Sequence, residues 1–97
     1  MKWREVLVWQ IELNDASKKD LAKLDKQVAR RIISFLRDRL AQLDNPRAIG
    51  EALRGSELGE FWKYRVGDYR IIARIEDNVV KILILKIGNR RDVYKNY

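Results

Sequence analysis

The segment FWKYRVGDYRIIARIE, residues 61–76, constrains the fold more than any other. Two runs of β-prone residues flank Gly67-Asp68, and glycine in the first of two loop positions suits a type II′ hairpin. With Gly67 and Asp68 as the whole loop, Val66 pairs with Tyr69 and Arg65 stands across from Arg70. Strand alternation then puts Lys63, Arg65, Arg70, Ile72 and Arg74 on one face. Trp62, Tyr64, Val66, Tyr69, Ile71, Ala73 and Ile75 share the other, which the apolar set marks as the core face.

The rest of the chain supplies neighbours for this hairpin. EVLVWQIEL, residues 5–13, alternates so that Leu7, Trp9, Ile11 and Leu13 share a side, as a strand does. Asn14 or Asp15 can cap a short helix carrying Leu21, Ala22 and Leu24. A second helix is expected from about Lys26 to Leu43, because Val28, Ile32, Phe35, Leu36, Leu40 and Leu43 recur at helical spacing. Asp44-Asn45-Pro46 ends it, with Pro46 suited to the first turn of another short helical piece. Residues 54–60, RGSELGE, are turn-rich. Asp77-Asn78 should turn the chain into VVKILILKIG, whose apolar residues on both faces place it inside the sheet, beside the N-terminal strand. The expected fold class is α+β: an antiparallel-dominated four-stranded sheet with two N-terminal helices packed on one face. Ninety-seven residues, 46% of them hydrophobic, fit a single domain over 1–97.

Composition narrows the chemistry. There is no cysteine, which removes disulfides and thiolate catalysis, and no histidine, which removes the usual general base and the commonest metal ligand. Asp, Glu, Lys, Tyr and Arg are what is left for catalysis. No carboxylate pair or metal-ligand spacing stands out, so no metal and no cofactor is expected. No apolar run approaches the roughly 20 residues a membrane-spanning helix needs, and the reading is cytoplasmic with no membrane partner. Twenty-one Lys and Arg against fourteen Asp and Glu give +7 at neutral pH. That field favours polyanions, nucleic acid first.

The cations are concentrated at the hairpin. Continuing the register across Asp77-Asn78 puts Lys81 opposite Arg74, extending the strip onto the last strand. Like charges directly opposed in a sheet cost on the order of 0.2–1 kcal/mol per pair. Such a strip asks for an anion. Arg74 and Lys81 lie near the outer turn with Glu76 close by, and read as a solvated face sooner than as function. Lys63, Arg65 and Arg70 have no acidic residue alternating with them and are the stronger candidates.

On the order of its elements, and on ALRGSELGEFWKYRVGDYRIIARIED followed by KIGNRRDVY, the chain resembles the RelE branch of the RelE/ParE toxin superfamily of bacterial toxin–antitoxin systems. The resemblance spans essentially the whole sequence. It implies a small cytoplasmic ribonuclease that cuts messenger RNA, typically in the ribosomal A site, and is silenced by a cognate RelB-like antitoxin. Ribosome, mRNA and antitoxin are therefore the implied partners. Position by position, it implies catalytic roles for Lys63, Arg65, Arg70, Arg90 and Tyr94, with Lys63, Arg65, Arg70, Arg74, Lys81 and Arg90 contacting RNA. Two positions depart from relatives: Arg65 stands where some carry lysine, and Asn89 where many carry histidine. The spacing from Arg90 to Tyr94 is short relative to some members, which leaves Tyr97 as a second choice.

The chemistry is coherent without the resemblance. RNA cleavage through its own 2′-OH needs a proton acceptor, charge stabilisation on the phosphate, and help for the departing 5′-oxygen. A tyrosine among arginines can be the acceptor; lowering a phenol by roughly three pK units requires about 4 kcal/mol of preferential phenolate stabilisation. Tyr94 is read as that base, Arg70 and Lys63 as stabilisers of the pentacovalent phosphate, Arg90 as clamp or leaving-group partner, and Arg65 as backbone positioner. Lys63 is the alternative base. Without the resemblance, Tyr94 reads as an aromatic packing the end of a strand, and Trp3, Trp9 and Trp62 read as core or edge. Two competing functions use the same fold or face: a ParE-like toxin that inhibits DNA gyrase by protein binding, and a non-catalytic RNA-binding module.

Overall fold

Gly67 takes a φ of 60° and sets the hairpin in the expected register, with Val66 paired to Tyr69 and Arg65 to Arg70. The computed structural model describes residues 8–53 and 61–93. In chain order the strands are β1 (Gln10–Leu13), β2 (Glu51–Ala52), β3 (Phe61–Val66), β4 (Tyr69–Glu76) and β5 (Lys81–Asn89), and the helices are α1 (Asp15–Ala22) and α2 (Lys26–Ser34). They build one five-stranded sheet in the order β1-β5-β4-β3-β2. The four-stranded expectation is corrected by β2, two residues paired antiparallel to Lys63 and Trp62. The sheet is also mixed, because β1 runs parallel to β5. A parallel pair needs a long crossover. Here the intervening helices and strands provide it. The N-terminal strand is described as such only from Gln10; Val8 and Trp9 precede it, and residues 5–7 lie outside the described residues, as does the 54–60 turn.

The core face is the one alternation assigns. Tyr64, Ile71 and Ala73 of the hairpin join Ile82, Ile84 and Ile87 of β5 beneath Ile32, Leu36 and Leu40, with Leu21 and Leu24 packed against them. Asn14 caps α1 by accepting from Ser17 N at 2.8 Å, and Asp25 caps α2 by accepting from Gln27 N at 3.1 Å. The second helical stretch covers residues 26–42, close to the expected span, but changes type along it: it is α-helical to Ser34, widens into a π turn over Phe35–Arg39 and tightens into a 3₁₀ turn over Leu40–Gln42. Ile32, Leu36 and Leu40 recur every four residues, and in a 3.6-residue helix that repeat drifts by about 40° each time. The wider turn absorbs the drift and keeps all three buried.

Strand β5 carries a bulge: Ile72 pairs with Lys86 and Ala73 with Ile84, leaving Leu85 as the extra residue. Pairing with β1 stops at Ile84, so the edge of β5 beyond it needs other partners. Helix α1 provides them. Ser17 Oγ donates to Ile84 O at 2.9 Å, and Ile87 N donates to Asp20 Oδ2 at 3.0 Å.

The β4–β5 connection is longer than a two-residue turn. Asp77–Val79 form a 3₁₀ turn and Val80 adopts left-handed angles, φ 52° and ψ 51°. A β-branched residue there costs of order 1–3 kcal/mol. These four loop residues move the register, so Lys81 faces Glu76, and Arg74 faces Leu83 instead of Lys81. On the sheet face opposite the helices, Leu53, Ile72 and Val93 form a second buried cluster with Phe61 and Leu85 against it. Among the described residues no helix is long and apolar enough to cross a membrane.

Candidate functional site

The hairpin and the end of β5 converge on one concavity of about 610 Å³, lined by Ile49, Glu51, Lys63, Tyr64, Arg65, Arg70, Arg90 and Arg91. Five of these eight side chains are cationic and one is a carboxylate. Tertiary structure brings Arg90 to the hairpin: β5 pairs Gly88 with Arg70 and Asn89 with Tyr69, and Arg90 N then donates to Asp68 O at 2.9 Å. Asn89 accepts from Arg91 N through Oδ1 at 3.0 Å, and its carbonyl accepts from the N–H groups of Asp92 and Val93. This tight turn delivers two consecutive arginines to the groove. The position where many relatives carry histidine is thus held by a turn-forming amide.

Lys63, Arg65, Arg70 and Arg90, all expected at the site, line the same groove. Arg70 lies over the turn, its Nη1 donating to Gly67 O and Tyr69 O, each at 3.0 Å. A guanidinium carries five donors. With Nη1 holding the turn, Nε and Nη2 are left for an anion. Among the described residues, Arg65, Arg90 and Arg91 make no side-chain ion pair. Lys63 does have an acidic neighbour, contrary to expectation: Nζ is 3.4 Å from Glu51 Oε1 across the β2–β3 pairing. Glu51 and Arg91 are groove residues that sequence reasoning left out. Arg91 was signalled by its place in GNRR, whereas Glu51 depends on a strand of two residues, too short to show alternation.

Arg74 and Lys81 lie outside the groove. Arg74 Nη2 is 3.3 Å from Glu76, and Lys81 Nζ is 2.8 Å from Glu12 and 3.5 Å from Glu76. Lys81, hydrogen-bonded to Glu12, holds that carboxyl below its usual range. Trp62 packs against the core edge with Arg47 over its ring at 5.7 Å, and Arg47 in turn grips Asp77 through Nη1 and Nη2 at 3.0 and 2.7 Å. Tyr94 and Tyr97 lie outside the described residues. Val93, immediately before Tyr94, is fully buried against Ile72 and Leu53 on the groove side of the sheet.

Tyr64 is the one described tyrosine that lines the groove, and it is unsuited to act as a base. Its hydroxyl donates to Pro46 O at 2.7 Å. Burial pushes it up to about 12, with nearby Arg47 opposing. Gly50 makes this seat possible, since a Cβ there would stand 2.7 Å from Tyr64 Cε1. The fold favours the neutral phenol, so Tyr64 contributes stability that is complete below pH ~10, the ordinary tyrosine value. That contribution is lost as pH rises toward 12. Tyr64→Phe is expected to cost about 1 kcal/mol at neutral pH through the lost hydrogen bond. The deficit relative to wild type should shrink across the alkaline window in denaturant unfolding at stepped pH. A deficit unchanged with pH would show that Tyr64 does not titrate with folding.

Fold and groove together describe a small α+β protein with a concavity lined mostly by cations. The sequence matches the family described as the ParE toxin of the type II toxin-antitoxin system parDE over residues 11–94. The chain therefore belongs to that family, and its likeness to RelE toxins places it among the RelE-like toxins of the RelE/ParE superfamily. It is 28% identical over 87 residues to Toxin RelG of Mycobacterium tuberculosis, covering 90% of this chain and 97% of that protein. Its fold is similar to the toxin–antitoxin complex RelBE2 of M. tuberculosis, with a TM-score of 0.78 at 26% identity over 90% of this chain and 97% of the other. The archaeal RelE-RelB complex of Pyrococcus horikoshii gives a TM-score of 0.69 at 27% identity, covering 89% and 99%.

Proposed function

We propose that this toxin is an endoribonuclease that cuts messenger RNA in the ribosomal A site, through attack of the RNA's own 2′-OH and by a route that requires no metal ion. The observation that carries the reading is the groove, where among the described residues five cations meet one carboxylate. Cleavage concentrates negative charge on the phosphate, and donors already in place stabilise it most. Arg70, braced on the turn, presents Nε and Nη2 to the phosphate. Lys63 does the same from β3, positioned by Glu51. Arg65 and Arg90 hold the backbone on either side of Arg70, and Arg91 adds a further contact. Tyr94 is the proposed general base that takes the 2′-OH proton, and Arg90 is also the proposed partner of the departing 5′-oxygen.

The two solved relatives named above are complexes of RelE-type toxins with RelB-type antitoxins. By extension, a cognate RelB-like antitoxin is the proposed partner and the cytoplasm the proposed compartment. A second reading has a specific basis: the matching family description is that of ParE, and a ParE-like toxin would inhibit gyrase by binding it. Expression without an antitoxin separates the two. Translation should stop, with transcripts cut within their coding regions. Intact transcripts together with inhibited DNA supercoiling would establish the ParE reading instead.

A further inference from the structure

A second cationic surface lies beside the groove. The π turn after α2 and the end of β3 enclose a concavity of about 470 Å³ lined by Arg30, Arg31, Ser34, Phe35, Asp38, Arg39 and Val66. Asp38, its one acid, is already engaged: Ser34 Oγ donates to it at 3.1 Å and Arg37 Nε at 3.0 Å. Among the described residues, Arg30, Arg31 and Arg39 make no ion pair. Arg31, Phe35 and Arg39 recur every four residues, a cation, an aromatic ring and a cation in one row. The row falls where the helix widens, over Phe35–Arg39, and such π turns are frequent at functional sites.

This concavity adjoins the groove at two points. A Cβ built on Gly67 would stand 3.1 Å from Arg31 Nη2, so Arg31 lies over the same turn whose carbonyl Arg70 holds. The Phe35 ring packs on Tyr64, centroids 6.0 Å apart, and Tyr64 lines the groove. Cations therefore continue from Arg70 over the turn to Arg31, with an aromatic ring between Arg31 and Arg39. Alternating phosphate contacts and an aromatic ring are what a single strand of nucleic acid takes, its phosphates on arginines and an unstacked base on the ring.

We infer that the Arg31–Phe35–Arg39 row is a second RNA subsite, which holds the strand as it leaves the cleavage groove over the Gly67 turn. This rests on reading the groove as the RNA-cleaving site. The test is fluorescence anisotropy of a labelled single-stranded RNA, in a long form and in a minimal form that fills only the groove, across a range of salt. Arg31→Gln/Arg39→Gln should bind the long strand about tenfold more weakly, with a salt slope shallower by about 0.7 per arginine. It should bind the minimal RNA as wild type does. Arg65→Gln should weaken both. A thiouridine-bearing long strand should photocrosslink to the peptide containing Phe35.

Long-strand affinity and slope unchanged in the α2 variant, with crosslinks confined to groove peptides, would overturn the subsite and leave the cleavage reading standing. A variant whose only loss is capture of an acidic protein partner would overturn it too, assigning the surface to that partner. A wild-type protein that binds neither RNA at any salt would overturn the subsite, while the cleavage reading stands or falls separately on programmed ribosomes. Exposed arginines leave the core untouched, and an unchanged melting temperature of the variant certifies each comparison.

Discussion

Tyr94→Phe is expected to lower single-turnover cleavage on programmed ribosomes by roughly 10²–10⁴-fold, the range of a lost general base, while RNA affinity hardly changes. The substitution keeps the ring and removes only the phenolic oxygen. The aromatic ring is therefore kept and the proton acceptor lost. A phenol at its ordinary value is almost entirely protonated at neutral pH, so the base must be made by its surroundings. The groove supplies the means, since Arg65, Arg90 and Arg91 line it and make no side-chain ion pair among the described residues. Cleavage by Tyr94→Phe at the wild-type rate would make Tyr94 structural. Glu51, the one carboxylate among the described residues that line the groove, would then become the leading base, with Lys63 and Tyr97 behind it.

Arg70→Ala should reduce both steps, and unequally. Losing one phosphate contact weakens single-strand binding modestly and flattens its salt dependence by about 0.7. Losing a donor aimed at developing charge costs more, about 10²–10³-fold in cleavage rate. The two effects differ because the ground-state phosphate carries less charge at the reacting oxygens than the transition state does. Fold stability should shift little, since Arg70 donates to hairpin carbonyls at the turn, where water can replace it. The same ribosome assay beside a binding titration at two salt concentrations separates the terms. Equal losses in binding and cleavage would reduce Arg70 to a docking residue.

The hairpin was legible because Gly67 fixes the loop, and once the loop is fixed alternation assigns every side chain of β3 and β4 to a face. Tyr64, Ile71 and Ala73 therefore reach the core as expected, and Lys63, Arg65 and Arg70 reach the groove. The same logic failed one turn later. Asp77-Asn78 looks like a complete loop, yet Val79 and Val80 belong to it, because Val80 accepts left-handed angles that a β-branched residue normally avoids. Sequence patterns do not encode a strained residue of that kind, and the misplacement of Lys81 opposite Arg74 followed from it. The span of the second helix was legible but its change of type was not: a four-residue apolar repeat resembles α-helical spacing yet is best satisfied by a wider turn. The bulge at Leu85 and the ties from Ser17 and Asp20 to β5 are tertiary. They arise because β1 is too short to cover the whole edge. Arg90 and Arg91 were legible as a charged pair, but their arrival beside Arg70 depends on the register of β5.

The parallel pairing of β1 with β5 joins the first described strand to the last, and β5 is also the strand between β1 and β4. During synthesis β1 emerges early and cannot make this pairing until β5 has been translated. Contacts so distant along the chain form late in folding. Until β5 arrives the core lacks Ile82, Ile84 and Ile87, and the groove lacks Arg90 and Arg91. Core and cationic groove are thus completed by the same strand, the last of those described.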